Sequence, residues 1–197
     1  MKDALIVYTD FVCPWCYIGD AHLQQALAQR PVEVTYVMYP LHPGTPFRGL
    51  TLEELFEGRG IDVGAAQDAI REKATTLGLE YGRRTHTFNS RNAQAIGKAM
   101  LEDGEFDEYR SAVYRSYFGR GENIASIAVL QSILDTMRIG RWNATELVEN
   151  ATYQEQVDGD WDMCRRNNIT GVPSYQYGNR YCVGAQTSAS LLELFRS

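Results

Sequence analysis

Two cysteines three positions apart, in Cys13-Pro14-Trp15-Cys16, are the most reactive pattern in this chain. Pro14 suits the first turn of a helix, where its missing N–H costs nothing. Helix formers dominate residues 15–29 behind it. Free N–H groups at a helix start favour an anion, so the Cys13 sulfur is expected to be accessible and to ionise more easily than an ordinary thiol. Cys16 falls one turn deeper, on a stripe with Leu23 and Leu27, and is expected to be more buried and to stay protonated until needed. That asymmetry suits dithiol–disulfide exchange, with Cys13 forming mixed disulfides and Cys16 resolving them. Pro14 and Trp15 modulate the pair. Trp15 brings no positive charge, so the couple is expected to oxidise less strongly than one with histidine there.

A C-x-x-C also opens many zinc sites, which need two further ligands. Cys164 and Cys182 are the candidates, but Cys164 lies on an apolar helical stripe and no second C-x-x-C exists. We expect no metal. Cys164 and Cys182 read as buried apolar residues, with a second, regulatory disulfide as the alternative.

The elements that must hold the pair fit an ordinary globular composition. Of 197 residues, 44% are hydrophobic and 22% charged, enough for a core without disulfide staples. Nineteen Lys and Arg against 25 Asp and Glu leave a net charge of −6, which disfavours nucleic acid. No apolar run approaches the roughly eighteen residues of a membrane span. Lys2 and Asp3 precede too short an apolar run for a signal peptide. A cytoplasmic protein with no membrane contact is expected.

Residues 4–8 and 32–39 read as strands flanking the first helix, followed by the proline-rich loop Pro40-Leu41-His42-Pro43-Gly44-Thr45-Pro46. Helical stripes follow: Val63 to Leu77, Ile96 and Met100, Phe106 to Tyr117, Ile127 to Met137 with Ser126 as N-cap, and Tyr153 to Cys164. Asn167 to Gly171 stops the last of these. Residues 174–177 and 180–183 read as a hairpin about Gly178-Asn179, and residues 191–195 as a closing helix. The pattern predicts an α/β domain formed by residues 1–50 and 151–197, interrupted by a helical insertion over 51–150.

Asp10-Phe11-Val12-Cys13-Pro14-Trp15-Cys16-Tyr17-Ile18-Gly19 resembles the active-site segment of the FrnE-like branch of the DsbA family of thioredoxin-fold oxidoreductases. Gly171-Val172-Pro173-Ser174, Gly184-Ala185-Gln186, Leu41 to Pro46 and Thr87-Phe88-Asn89-Ser90 resemble further segments of that family, in the same order. The resemblance implies a thioredoxin-like fold with a helical insertion. It also implies a cis Val172–Pro173 bond facing Cys13, with Val172 and Pro173 beside an extended substrate. His42 departs from the asparagine frequent in the family. Tyr181-Cys182-Val183-Gly184 is one residue short of the usual pattern, and Cys164 and Cys182 do not reproduce the second cysteine pair of some relatives.

The function expected is thiol–disulfide exchange with protein or small-molecule substrates. No cofactor is expected beyond the redox-active disulfide; glutathione as co-substrate and a homodimer stay open. One alternative is a glutathione-dependent isomerase or transferase of the 2-hydroxychromene-2-carboxylate isomerase/kappa type, which needs no Cys16. A non-catalytic zinc or binding module is another. His22 lies about half a turn around its helix from Cys13 and about 13 Å along it, so it is no base for that sulfur. His86 reads as a loop or cap residue, Asp10 as a turn former. The clustered tyrosines 109, 114 and 117 read as packing of the helical block.

Overall fold

A computed structural model describes residues 4–137 and 142–196. The chain divides into two compact units, Met1–Leu41 with Asp160–Ser197, and His42–Gly159. The helical unit thus starts before, and ends after, the expected 51–150.

The first unit is built on a four-stranded sheet of order β2-β1-β5-β6. β1 (Leu5–Thr9) pairs in parallel with β2 (Val34–Met38) across α1 (Pro14–Gln29), a βαβ crossover. β1 is nearly all buried, which its apolar run Leu5-Ile6-Val7-Tyr8 permits. β5 (Ser174–Tyr177) pairs antiparallel with β1 and with β6 (Arg180–Val183). Gly178 turns that hairpin at φ 56°, a conformation glycine adopts without strain. α8 (Ala151–Arg166) ends where Asn168 takes φ 52° and Ile169 N–H bonds the Cys164 carbonyl. α9 (Ser188–Leu194) starts on a Thr187 cap, buries Leu191 and Leu194, and packs on α1. β2 is shorter at both ends than the predicted 32–39.

The second unit carries β3 (Leu50–Thr51), α2 (Leu52–Leu55), α3 (Val63–Thr76), β4 (His86–Thr87), α4 (Arg91–Glu102), α5 (Phe106–Tyr114), α6 (Ile127–Asp135) and α7 (Ala144–Glu149). β3 and β4 form a two-residue antiparallel ladder, so His86 sits in a strand rather than in the predicted loop or cap. The Phe106 to Tyr117 stripe holds as α-helix only to Tyr114. Arg115–Gly119 continues as a π-helical turn. Ser126 caps α6 as its position predicts, accepting from Val129 N–H. Among the described residues, no helix is long and apolar enough to cross a membrane.

Candidate active site

Asp10 builds the turn into α1. Its buried carboxylate accepts from Val12 N–H at 3.1 Å and from Leu41 N–H at 2.9 Å, and its carbonyl accepts from Cys13 N–H at 3.1 Å. Asp10 is thus the turn former its position predicted, and the second carboxylate oxygen ties the end of β1 to the chain after β2. Cys13 is the N-cap of α1, extended at φ −88° and ψ 114°, with Pro14 in the first turn. The Cys16 N–H points at the Cys13 sulfur, 3.3 Å away. A sulfur thus stands where a capping oxygen usually does, sharing the Cys16 N–H with the Cys13 carbonyl, which accepts it at 3.0 Å.

Exposure departs from expectation. Cys13 is 3% exposed, little more than Cys16. The physical reason is the segment before β5: the Cys13 thiol donates to the Val172 carbonyl at 3.4 Å, across a sequence separation of 159 residues. Trp15 is 39% exposed beside it. Cys16 is sealed in the core, and its thiol is pushed well up. Burial is the main cause; the hydrogen bond and charge of Cys13 add to it, against weaker opposing hydrogen bonds to Asp10 and Thr9.

Val172 and Pro173 join by a cis peptide bond. The Pro173 carbonyl is held by Gly184 N–H at 2.7 Å, and Ser174 Oγ donates to the Gly171 carbonyl at 2.6 Å. The Tyr181 hydroxyl bonds Ser174 Oγ in turn, at 3.0 Å. This segment lies against α1 at Gly19, where a Cβ would stand 2.4 Å from the Tyr175 hydroxyl oxygen and 3.0 Å from Pro173 Cγ. Gly19 and Tyr175 were not singled out in the sequence. A glycine inside a run of helix formers costs roughly 1 kcal/mol against alanine, and that local cost was the available signal.

The other cysteines stand apart from this geometry. Cys164 packs with Tyr8, Val37 and Ile169, and its thiol donates to the Met38 carbonyl at 3.6 Å. Burial first, then the Asp160 carboxylate, pushes it up to about 12, so it is a protonated core thiol at neutral pH. Cys182 is half-buried on β6, opposite Tyr175. All four cysteines are free. Among the described residues, no cluster of three or more His, Cys, Asp and Glu could hold a metal ion.

In the helical unit, Asn89 pins the proline-rich loop. Its amide donates to the carbonyls of Thr45 (2.9 Å) and Pro43 (3.4 Å), while its oxygen accepts from Arg91 N–H. His42, in that loop, is driven down to about 4 by burial and by the charges of Arg84 and Arg59, and is neutral at pH 7.

Residues 4–196 match the family described as DSBA-like thioredoxin domain. Among solved structures, a probable DsbA oxidoreductase from Streptomyces coelicolor superposes with a TM-score of 0.88 at 22% identity, over 98% of this chain and 88% of that one. A 2-hydroxychromene-2-carboxylate isomerase does so at 0.70 and 16%, over 97% and 92%. The cytosolic disulfide reductase DsbM from Pseudomonas aeruginosa, solved with GSH, does so at 0.65 and 18%, over 96% and 92%. At such identities the likeness is one of fold, and the fold serves both redox and isomerase chemistry.

Proposed function

Since the chain belongs to the DSBA-like thioredoxin domain family, we propose that it is a thiol–disulfide oxidoreductase of the FrnE-like branch, working through Cys13 and Cys16 in the cytoplasm. The observation that carries this reading is the Cys13 sulfur at the N-cap of α1, with the Cys16 N–H on it and the Cys16 thiol sealed behind it.

In the reducing direction, the Cys13 thiolate attacks one sulfur of a substrate disulfide. A Cys13–substrate disulfide forms, the substrate S–S bond breaks, and the second substrate sulfur leaves as a thiolate that takes up a proton. Cys13 no longer carries charge at that point. One of the causes that keeps Cys16 protonated has been removed, so the resolving thiol ionises more easily once it is needed. Cys16 then attacks the Cys13 sulfur, forming the Cys13–Cys16 disulfide and releasing the reduced substrate. Two electrons pass from the cysteine pair to the substrate, and oxidation of a dithiol is the same sequence reversed.

Pro14 preforms the first turn, and Trp15 offers an exposed apolar face beside the sulfur. Val172 and Pro173 form the substrate platform: the Val172 N–H has no partner among the described residues and is open to an extended chain. The Val172 carbonyl holds the Cys13 proton in the reduced state and is freed once that proton leaves. Glutathione is the proposed co-substrate that resets the pair, a reading supported by the DsbM structure with GSH.

The test is trapping. Cys16→Ser incubated with insulin, or with oxidised glutathione, should accumulate a mixed disulfide at Cys13, and Cys13→Ser should lose exchange altogether. Normal turnover in Cys13→Ser contradicts the assignment. A glutathione-dependent isomerisation that survives in Cys16→Ala assigns the site to isomerase chemistry instead.

A further inference from the structure

We propose that the helical unit carries a second binding site, independent of the cysteine pair: a cavity of about 550 Å³ between α3 and residues 81–85 that takes the oxyanion group of a small polar molecule. Gln67, Tyr81, Arg71, Arg83 and Arg84 line it together with the carboxylates of Glu53 and Asp68.

Arg84 is only 7% exposed. Its Nε donates to the Tyr117 hydroxyl at 2.8 Å, and its guanidinium lies over the rings of Tyr117 (5.2 Å) and Phe118 (5.7 Å). The guanidinium also hydrogen-bonds the Tyr81 hydroxyl. A guanidinium can only donate, so the Tyr81 oxygen accepts there. The Tyr81 proton is then committed to Gln67 Oε1, 3.0 Å away. With its oxygen engaged by Tyr81, the Gln67 amide has its NH2 group on the cavity side. Gln67 is 8% exposed, and that nitrogen has no partner within the protein among the described residues. The amide nitrogen is open to the cavity beside the Arg84 guanidinium, where it can donate to an incoming acceptor.

The backbone holds this arrangement rigidly. Gly82 N–H donates to the Phe118 carbonyl at 2.8 Å, and a Cβ on Gly82 would stand 2.4 Å from the Gly119 carbonyl oxygen. Both contacts fall within the π-helical turn that supplies Tyr117 and Phe118, and such turns recur at functional sites.

The protein is −6 overall, yet three guanidinium groups meet here against two carboxylates, Glu53 and Asp68. Arg71 is tied to Asp68 at 2.7 Å, whereas Arg83 is exposed at the rim with no ion pair among the described residues. Val63 is the single aliphatic side chain in the lining. Carboxylate and phosphate groups share the acceptor geometry these donors require.

The experiment is isothermal titration calorimetry at fixed ionic strength with inorganic phosphate and, separately, malonate. Saturable one-to-one binding of at least one probe is expected, and which probe binds tells phosphate from carboxylate. Arg83→Ala should weaken that binding about tenfold or more without changing the circular-dichroism melt. Gln67→Leu should do the same, and the exposed Arg83→Ala keeps the test valid should Gln67→Leu unfold. The proposal fails if neither probe saturates, or if Arg83→Ala binds as tightly as the unaltered chain.

Discussion

A Cβ on Gly19 would stand 2.4 Å from the Tyr175 hydroxyl oxygen, an approach that real Cβ atoms essentially never make. Gly19→Ala should therefore destabilise the protein in urea by about 1–2 kcal/mol, since overpacking outweighs the roughly 1 kcal/mol that alanine gains in a helix. In a Tyr175→Phe background the obstructing oxygen is gone, and the same substitution should recover most of that loss. Equal effects of Gly19→Ala in both backgrounds would place the cost elsewhere. At Cys13 the prediction concerns access. With 3% exposure under the Val172 carbonyl, its alkylation by iodoacetamide in the native state should be slower than in urea at the same pH. Identity and spacing disclosed Cys13 and Cys16 as a pair; they could not disclose the lid, because the covering atom comes from a residue 159 positions away. Asp10 was legible as a turn residue, but its second bond, to Leu41, depends on where β2 delivers the chain.

Among the elements, α1, the β5–β6 hairpin and the Ser126 cap were readable because each is coded locally: by Pro14, by Gly178 and by a capping side chain. The two-residue strands β3 and β4 are too short to carry a period, and α2 is a single turn held by the Thr51–Glu54 capping box. The π-helical turn leaves no mark in the sequence pattern because Tyr117 fits an α-helical stripe as well; the Gly82 bond to the Phe118 carbonyl is a tertiary contact. Caps offer the cleanest test at this scale. Thr187 Oγ1 accepts from Ser190 N–H at 3.2 Å at the start of α9. Thr187→Ala should cost about 1 kcal/mol by urea denaturation, and Thr187→Ser should retain most of it. An unchanged midpoint for Thr187→Ala would mean that α9 is held by packing alone.

At the scale of the whole chain, acid sensitivity is built into the helical unit. His42 sits at about 4, against an ordinary value of 6.5. Between those values the unfolded chain binds a proton that the folded chain does not, so stability is present above about 6.5 and is lost as pH falls through the window toward 4. His42→Asn should flatten the dependence of the urea midpoint on pH between 6.5 and 4.5, and an unaltered slope would assign it to other groups. Cys164, pushed up to about 12 in its apolar cluster, should stay reduced and protonated where the N-terminal pair turns over. The most direct measurement is a glutathione redox titration of the unaltered protein with mass-spectrometric counting of free thiols. The predicted result is one two-electron transition in which Cys13 and Cys16 disappear together while Cys164 and Cys182 remain free. Four thiols persisting at every potential, or a bond between Cys164 and Cys182 in place of the Cys13–Cys16 bond, would contradict it.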